Sequence, residues 1–252
     1  MTRNPYIVPL FVTLGLAGVV RWFAPAVEAQ PPQFDPAALF LELNDTDGDL
    51  GLHASIGAEP WIDLEIEGPG DRSLLEIVTR GRLRTQGLSE IAFESAEPSF
   101  DELDPADFFR RFPEGRYEIS GHLLEGGEAE SRPILSHVLA AAPGNVLVSG
   151  ALAAESCDDP LPLVVAPVTI DWDPVTTSHP EIGKRGAIRV RRYQLFVEGE
   201  GIHLGLDLPS SVTSFTIPAE VTDRDDRFKF EIITQTTTGN NTAIESCFLV
   251  QN

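Results

Sequence analysis

The chain has 252 residues, of which 39 are acidic and 18 basic, for a formal charge of −21. That balance argues against nucleic acid as a partner, because binding it needs clustered basic side chains that displace condensed counterions. An acidic surface suits solubility, repulsion between copies and the binding of cations such as Ca²⁺.

Residues 1–29 read as a signal peptide. Arg3 supplies the positive start, and residues 6–20 carry no charge. That run is shorter than the roughly 18 apolar residues of a membrane span. Val27-Glu28-Ala29 resembles a small-x-small cleavage site. The alternative is an uncleaved anchor with Arg21 and Trp22 at the interface, which would be the chain's one attachment to a membrane. Removing the segment takes away Arg3, Arg21 and Glu28, leaving 38 acidic and 16 basic residues, a charge of −22. The expected location is secreted or periplasmic. What remains exceeds one typical domain and suggests two of about 110 residues, each able to bury a core.

The Pro-rich residues 30–36 form an expected tether, stiff because proline fixes φ and restricts its neighbour. A first β-sandwich domain is placed at residues 37–142, with strands at 39–43, 50–56, 61–67, 73–79, 89–93, 116–124 and 133–139. The clearest is 61–67, where Ile62, Leu64 and Ile66 alternate with Asp63, Glu65 and Glu67, the period of a half-buried strand. One short helix interrupts the pattern. Asp104 can cap it, Pro105 suits its first position, and Pro113 and Gly115 stop it. Its Phe108–Phe109 pair must pack on the sheets, since two turns do not stand alone.

Ala140-Ala141-Ala142-Pro143-Gly144 breaks the pattern and marks the boundary to a second domain at residues 143–252. Strands are expected at 146–149, 168–172, 188–198, 202–208, 211–218, 227–237 and 242–250, with Gly239-Asn240-Asn241 as the last hairpin turn. Helix-rich crossovers are absent from both halves. The fold class is therefore all-β: two tandem antiparallel, immunoglobulin-like β-sandwiches, the first with one short helix.

The second domain resembles fibronectin type III modules. Residues 168–172, ending in Trp172, look like the second strand, and 193–197, starting with Tyr193, like the third. Residues 211–217 look like the fifth strand, and 228–232 followed by Gly239-Asn240 like the sixth and its hairpin. Phe228 stands where the family usually has a corner tyrosine, so that hydroxyl bond is expected to be lost. Residues 176–187 form an extended loop before the third strand. The likeness implies a sandwich fold and is nearly silent on function. In the first domain, residues 93–98 and 109–117 are similar to uncharacterised exported bacterial proteins, which implies export and no chemistry.

Cys157 and Cys247 can form a single intramolecular bridge in an exported chain. The alternatives are two separate thiols or a bridge to another chain. The sharpest local feature is Asn44-Asp45-Thr46-Asp47-Gly48-Asp49. Asp45, Asp47 and Asp49 are candidate calcium ligands, since alternate carboxylates in a glycine-containing turn can converge on a hard cation. It is not an EF-hand: counting from Asp45, the sixth residue is Leu50 and the twelfth Ile56. The alternative is a polar turn between two strands.

Glu90, Glu94, Glu97, Asp101, Glu102, Asp104 and Asp107 form a second acidic group, read as a solvated rim, because nothing selects two of them as a glycosidase pair. The histidines, His53, His122, His137, His179 and His203, show neither helical i,i+4 spacing nor a nearby Cys, which argues against zinc. No nucleophile-elbow, dinucleotide-binding, P-loop or Cys-x-x-Cys motif occurs. Asn44-Asp45-Thr46 and Asn240-Asn241-Thr242 fit the glycosylation sequon.

The expected function is an exported, non-catalytic binding or structural protein. It has no cofactor beyond candidate Ca²⁺, and it meets a protein or carbohydrate partner through sheet edges or loops, with residues 176–187 the favoured contact. The alternatives are an exported carboxylate- or metal-dependent hydrolase with an accessory fibronectin-like domain, and an assembly subunit that donates or accepts a strand.

Overall fold

The computed structural model describes residues 32–251; the signal segment and the first two residues of the tether lie outside them. The first half contains β1 (Ala37–Asn44), β2 (Asp49–Trp61), β3 (Asp63–Gly68), β4 (Arg72–Val78), α1 (Arg82–Gln86), β5 (Leu88–Glu94), α2 (Pro105–Arg111), β6 (Gly115–Arg116), β7 (Glu118–His122), β8 (Glu128–Ser131) and β9 (Ile134–Leu135). The second contains β10 (Leu147–Val148), β11 (Ala151–Leu152), β12 (Leu163–Val164), β13 (Thr169–Asp171), β14 (Val190–Gly199), β15 (Ile202–Pro209), β16 (Ser214–Thr216), α3 (Ala219–Thr222), β17 (Arg227–Thr236) and β18 (Asn241–Val250). The protein is all-β. The expected helix forms at α2, where Asp104 Oδ1 accepts from the Ala106 amide; α1 and α3 are single-turn additions that the sequence reading missed.

One major sheet runs β15-β14-β17-β18-β1-β2-β5 and so crosses both halves. The first and last long strands lie side by side: β1 pairs β18 in parallel, with Leu43 opposite Thr242. Further along, β12 takes the place beside β18, also in parallel. These two parallel pairings depart from a purely antiparallel fold. A β4-β3-β7-β8 sheet faces the first half of the major sheet, and a β11-β10-β13-β16 sheet faces the second.

Alternation along each strand divides the faces. On β1 and β2, Leu39, Leu41, Leu43, Leu50, Leu52, Ala54 and Ile56 point inward and pack with Leu64, Ile66, Ile119, Trp61 and Phe108. On β14, β17 and β18, Tyr193, Leu195, Val197, Phe228, Phe230, Ile232 and Phe248 pack against Val148, Ile170, Trp172 and Ile217. Full burial of each such side chain contributes roughly 1.5–3 kcal/mol before the cost of ordering it. The cores meet near residue 140, with Leu139 in the first and Ala140 in the second, and the described residues 32–251 cluster as one compact unit. Residues on the opposite face of the major sheet, including Phe40, Glu42, His53, Glu231 and Glu245, lie away from both cores.

Three segments differ from their sequence reading. The end of the tether is docked: Phe34 is buried in the first core, and Asp35 and Pro36 exchange backbone bonds with Gly57. Residues 176–187 are tied to the first half at several points, although most of their side chains stay exposed. The His179 amide donates to the Leu139 carbonyl, the Lys184 amide donates to the His137 carbonyl, Lys184 pairs with Glu114, and Ile182 packs on the first core. These contacts make it a strap between halves, while its Arg185 and Gly186 bonds close on the segment itself. Finally, Asn240 is 1% exposed; its Oδ1 accepts from the Leu41 amide and its Nδ2 donates to the Ser136 and Val138 carbonyls. That side chain clips the last hairpin to the first half and is inaccessible as a glycosylation acceptor.

Candidate metal centre and apolar cleft

The acidic turn joins β1 to β2. Asn44 Oδ1 accepts from the Thr46 and Asp47 amides, the Gly48 amide donates to the Asn44 carbonyl, and Gly48 takes φ 66°. These are the features of an Asx-type polar turn. The Thr46 hydroxyl bonds the Glu245 backbone and docks the turn on β18.

Two of the three candidate calcium ligands are held by different side chains, and the third turns away from both. Asp45 Oδ1 lies 2.8 Å from His179 Nε2. His179 Nδ1 accepts from the Ile182 amide at 2.8 Å, so in the neutral ring Nε2 carries the proton and donates to Asp45. Asp47 Oδ2 accepts from Asn44 Nδ2 at 3.2 Å. Asp49 turns elsewhere: its Oδ1 is buried and has no hydrogen-bond partner among the described residues.

Asp49, Gly51 and His53 follow each other at alternate positions on the outer face of β2. Residues 95–100 run back along that strand: the Ser95 amide donates to the Leu52 carbonyl, and the Phe100 amide to the Gly48 carbonyl. Glu97 then lies over Gly51, where a Cβ would overlap its carboxylate. From there Glu97 Oε1 reaches His53 Nε2 at 2.9 Å. Glu94 stands opposite His53 in the β2–β5 register. Among the described residues, His53, Glu94 and Glu97 are the set of three ligand-type side chains whose atoms lie within 4.8 Å of one another. Phe40 stacks on the His53 ring at 5.3 Å and fixes its plane.

Negative charge is crowded here. Burial, reinforced by Glu97, Asp47 and Glu245, pushes the Asp49 carboxyl up to about 6. Burial, with Glu94 and Glu42, also raises Glu97 against the opposing pull of His53. Across the sheet, burial and then Glu42 and Glu245 push Glu231 up to about 7, while Lys229 works against the rise. Lys229 pairs with Glu245 at 2.6 Å.

Several of the remaining candidates have ordinary partners. Asp104 caps α2, and Asp107 pairs with Arg110. His122 is exposed between Asp63 and Glu128, and His203 pairs with Glu198. His137 is buried, with Nε2 2.7 Å from the Phe112 carbonyl and its ring against Phe109. Cys157 and Cys247 form the bridge, with Cα atoms 4.9 Å apart.

A second feature is apolar. β4 and β5 are the edge strands of their two sheets, on the same side of the first core. Between them lies a cleft of about 400 Å³, lined by Leu52, Leu74, Leu75, Ile77, Ile91, Phe93, Phe112 and Ser95. Most of these side chains are only half-buried.

Sequence reasoning named His53, Glu94 and Glu97 without joining them. Its argument against zinc used spacing along the chain, whereas the grouping here comes from strand register. The readable signal was the outer-face alternation of Asp49, Gly51 and His53 beside the inward run Leu50, Leu52, Ala54, Ile56. The partner strand supplying Glu94 was not readable.

No family model matches the chain, and no curated protein does. Among solved structures, a chain of a 1.5-MDa bacterial ice-binding adhesin, described for host cell surface retention, is 13% identical over 88% of this chain and 66% of its own length, with a TM-score of 0.25. The human OSCAR ligand-binding domain is 15% identical over 82% of this chain and 96% of its own, with a TM-score of 0.25. A Ca²⁺-stabilized, ice-binding adhesin of an Antarctic bacterium is 13% identical over 85% of this chain and 50% of its own, with a TM-score of 0.25. The chain thus spans from half to about two thirds of these adhesin chains. At such TM-scores the likenesses bear on neither its fold nor its role.

Proposed function

We propose that the chain is an exported, non-catalytic binding protein. In this reading its first half takes up an extended apolar segment of a protein partner, and its second half is a fibronectin type III-like support. The carrying observation is the cleft between β4 and β5. It is apolar, its volume falls in the range of ligand sites, and it is flanked by two edge strands with unpaired main-chain groups. An extended peptide can use both features at once, apolar side chains entering the cleft while its backbone pairs an edge. A carbohydrate fits less well, because Ser95 is the one polar residue in the lining.

Export is supported by the Cys157–Cys247 bridge, since such bonds persist in oxidising compartments. The fibronectin-like reading is supported by strand partition. The second and fifth strands of the resemblance pair with each other as β13 and β16, and the third and sixth as β14 and β17, in opposite sheets. The Tyr193 hydroxyl, on the third strand, accepts from the Val175 amide at 2.9 Å and anchors the connection between β13 and β14. Calcium at Asp45, Asp47 and Asp49 draws little support from two carboxylates held by different side chains and a third turned away from both; a chelator-dependent thermal midpoint that Asp47→Ala abolishes would favour it.

Selection of displayed peptides on the purified chain, with counter-selection on Ile91→Asp, tests the binding reading. The expected winners alternate apolar and polar residues and fail to bind the variant. Winners that bind both chains equally would place recognition elsewhere. The hydrolase alternative would be favoured instead by metal-dependent turnover of ester or glycoside substrates that Glu97→Gln abolishes.

A further inference from the structure

We propose that His53, Glu94 and Glu97 form a binding site for a divalent transition-metal ion of the Zn²⁺ class, which pins the edge strand β5 and the segment after it onto β2. The inference is independent of the peptide-binding reading. Its first support is convergence from three places in the chain: mid-β2, the end of β5 and the segment beyond it, with ligand atoms within 4.8 Å of one another. One imidazole and two carboxylates are a donor set that zinc and its neighbours accept, leaving room for water or a further oxygen.

The second support is the way the site is built. Gly51 leaves the space in which the Glu97 carboxylate lies, and any side chain there would displace it. Phe40 holds the His53 ring by stacking. The third support is an unsatisfied group beside the cluster. Among the described residues Asp49 Oδ1 is buried without a hydrogen-bond partner, and its carboxylate is close enough to Glu97 for their charges to oppose each other. Glu42 and Glu94 add to that repulsion around Glu97. A dication between His53, Glu94 and Glu97 would offset the repulsion among these carboxylates. Buried charge of one sign is otherwise costly.

The test uses the chain without its signal segment, disulfide intact, stripped with chelator and titrated with Zn²⁺ by calorimetry and with Co²⁺ by visible absorption. The expected result is one ion per chain, with Co²⁺ bands characteristic of nitrogen and oxygen ligation. His53→Gln and Glu97→Gln should each weaken binding at least about tenfold. Asp47→Ala, in the neighbouring turn, should leave it unchanged. Glu94 is exposed, so Glu94→Gln keeps the test valid if the other variants fold poorly, which circular dichroism of the metal-free forms will show. Metal should also slow amide hydrogen exchange across residues 94–99 in the wild type and not in Glu94→Gln. Absence of Zn²⁺ and Co²⁺ binding, or binding that survives Glu94→Gln and Glu97→Gln together, overturns the proposal. Loss of binding in Asp47→Ala with retention in Glu94→Gln would move the ion to the turn and overturn it equally.

Discussion

The second half of the molecule encloses its core with aromatic side chains, whereas the first leaves a seam along one side. Trp172 meets Tyr193 edge-on at 5.4 Å, and Phe248 stacks on Phe228 at the same separation, all four buried. The disulfide ties β18 to the connection before β12. In the first half, β4 and β5 do not pair with each other, and Leu74, Leu75, Ile77, Ile91 and Phe93 remain half-covered between them. Both halves share one continuous sheet, so the difference lies in how the facing layer closes over it. The layers close over buried aromatic side chains in one half and part over half-covered apolar side chains in the other.

Four measurements can break or sharpen that contrast. Replacing both cysteines by serine should cost about 4–5 kcal/mol in urea unfolding, from the entropy of the long loop released. A loss under about 1 kcal/mol would mean that the second half does not depend on its bridge. Phe230→Ala should cost about 3–5 kcal/mol as a cavity in a closed core, and Phe93→Ala only about 1 kcal/mol at the seam. Equal losses would show the first core to be as tightly closed as the second. Asn240→Ala should cost about 2–3 kcal/mol, because the Leu41 amide and two carbonyls lose their partner together. If the halves are cooperative only through this clip, the variant should also split the single unfolding transition into two.

The smallest effect is a pH dependence. The folded value for Glu231 is raised from 4.5 to about 7, so the native state holds its proton more tightly than the unfolded chain. The stability linked to that proton is fully present below the unfolded value and is lost as pH rises through the folded one. Glu231→Gln should therefore raise the thermal midpoint at about pH 8 by on the order of 3 °C and leave it unchanged at about pH 4. A midpoint lowered at both pH values would show that the carboxylate is stabilising when charged, through Lys229.

Much of the architecture was legible because it is local. Strict alternation at Ile62, Leu64 and Ile66 marks a strand, and Asp104-Pro105 marks a helix start, without reference to the rest of the chain. The bridge was legible from an even cysteine count in a chain that reads as exported. The parallel contact of β1 with β18 was not, because register between strands 199 residues apart depends on packing that single-strand patterns do not encode. The same reason hid the site. His53 and Glu94 are neighbours only through β2–β5 register, and Asn240 looks like an ordinary turn residue until the Leu41, Ser136 and Val138 backbones surround it. The docking of residues 176–187 on the first half was not readable either, because their mixed charge suits solvent and exposed ion pairs such as Lys184–Glu114 alike.

The neighbourhood of β1 and β18 also sets an order of events. If the chain leaves a cell through a pore from its N-terminus, β1 and β2 emerge with one edge of their hairpin bare, and β18 follows only after every other described strand. During that interval the first core has no contact with Asn240, Thr242 or the strand that completes its sheet. Contacts so distant in sequence close slowly, since loop entropy must be overcome before they contribute. The half-made molecule therefore exposes both an unpaired edge and an apolar seam, a combination prone to wrong pairing. A holding chaperone on the far side of the membrane should increase the yield of this protein, and shortening the delay between the appearance of β1 and β18 should reduce that need.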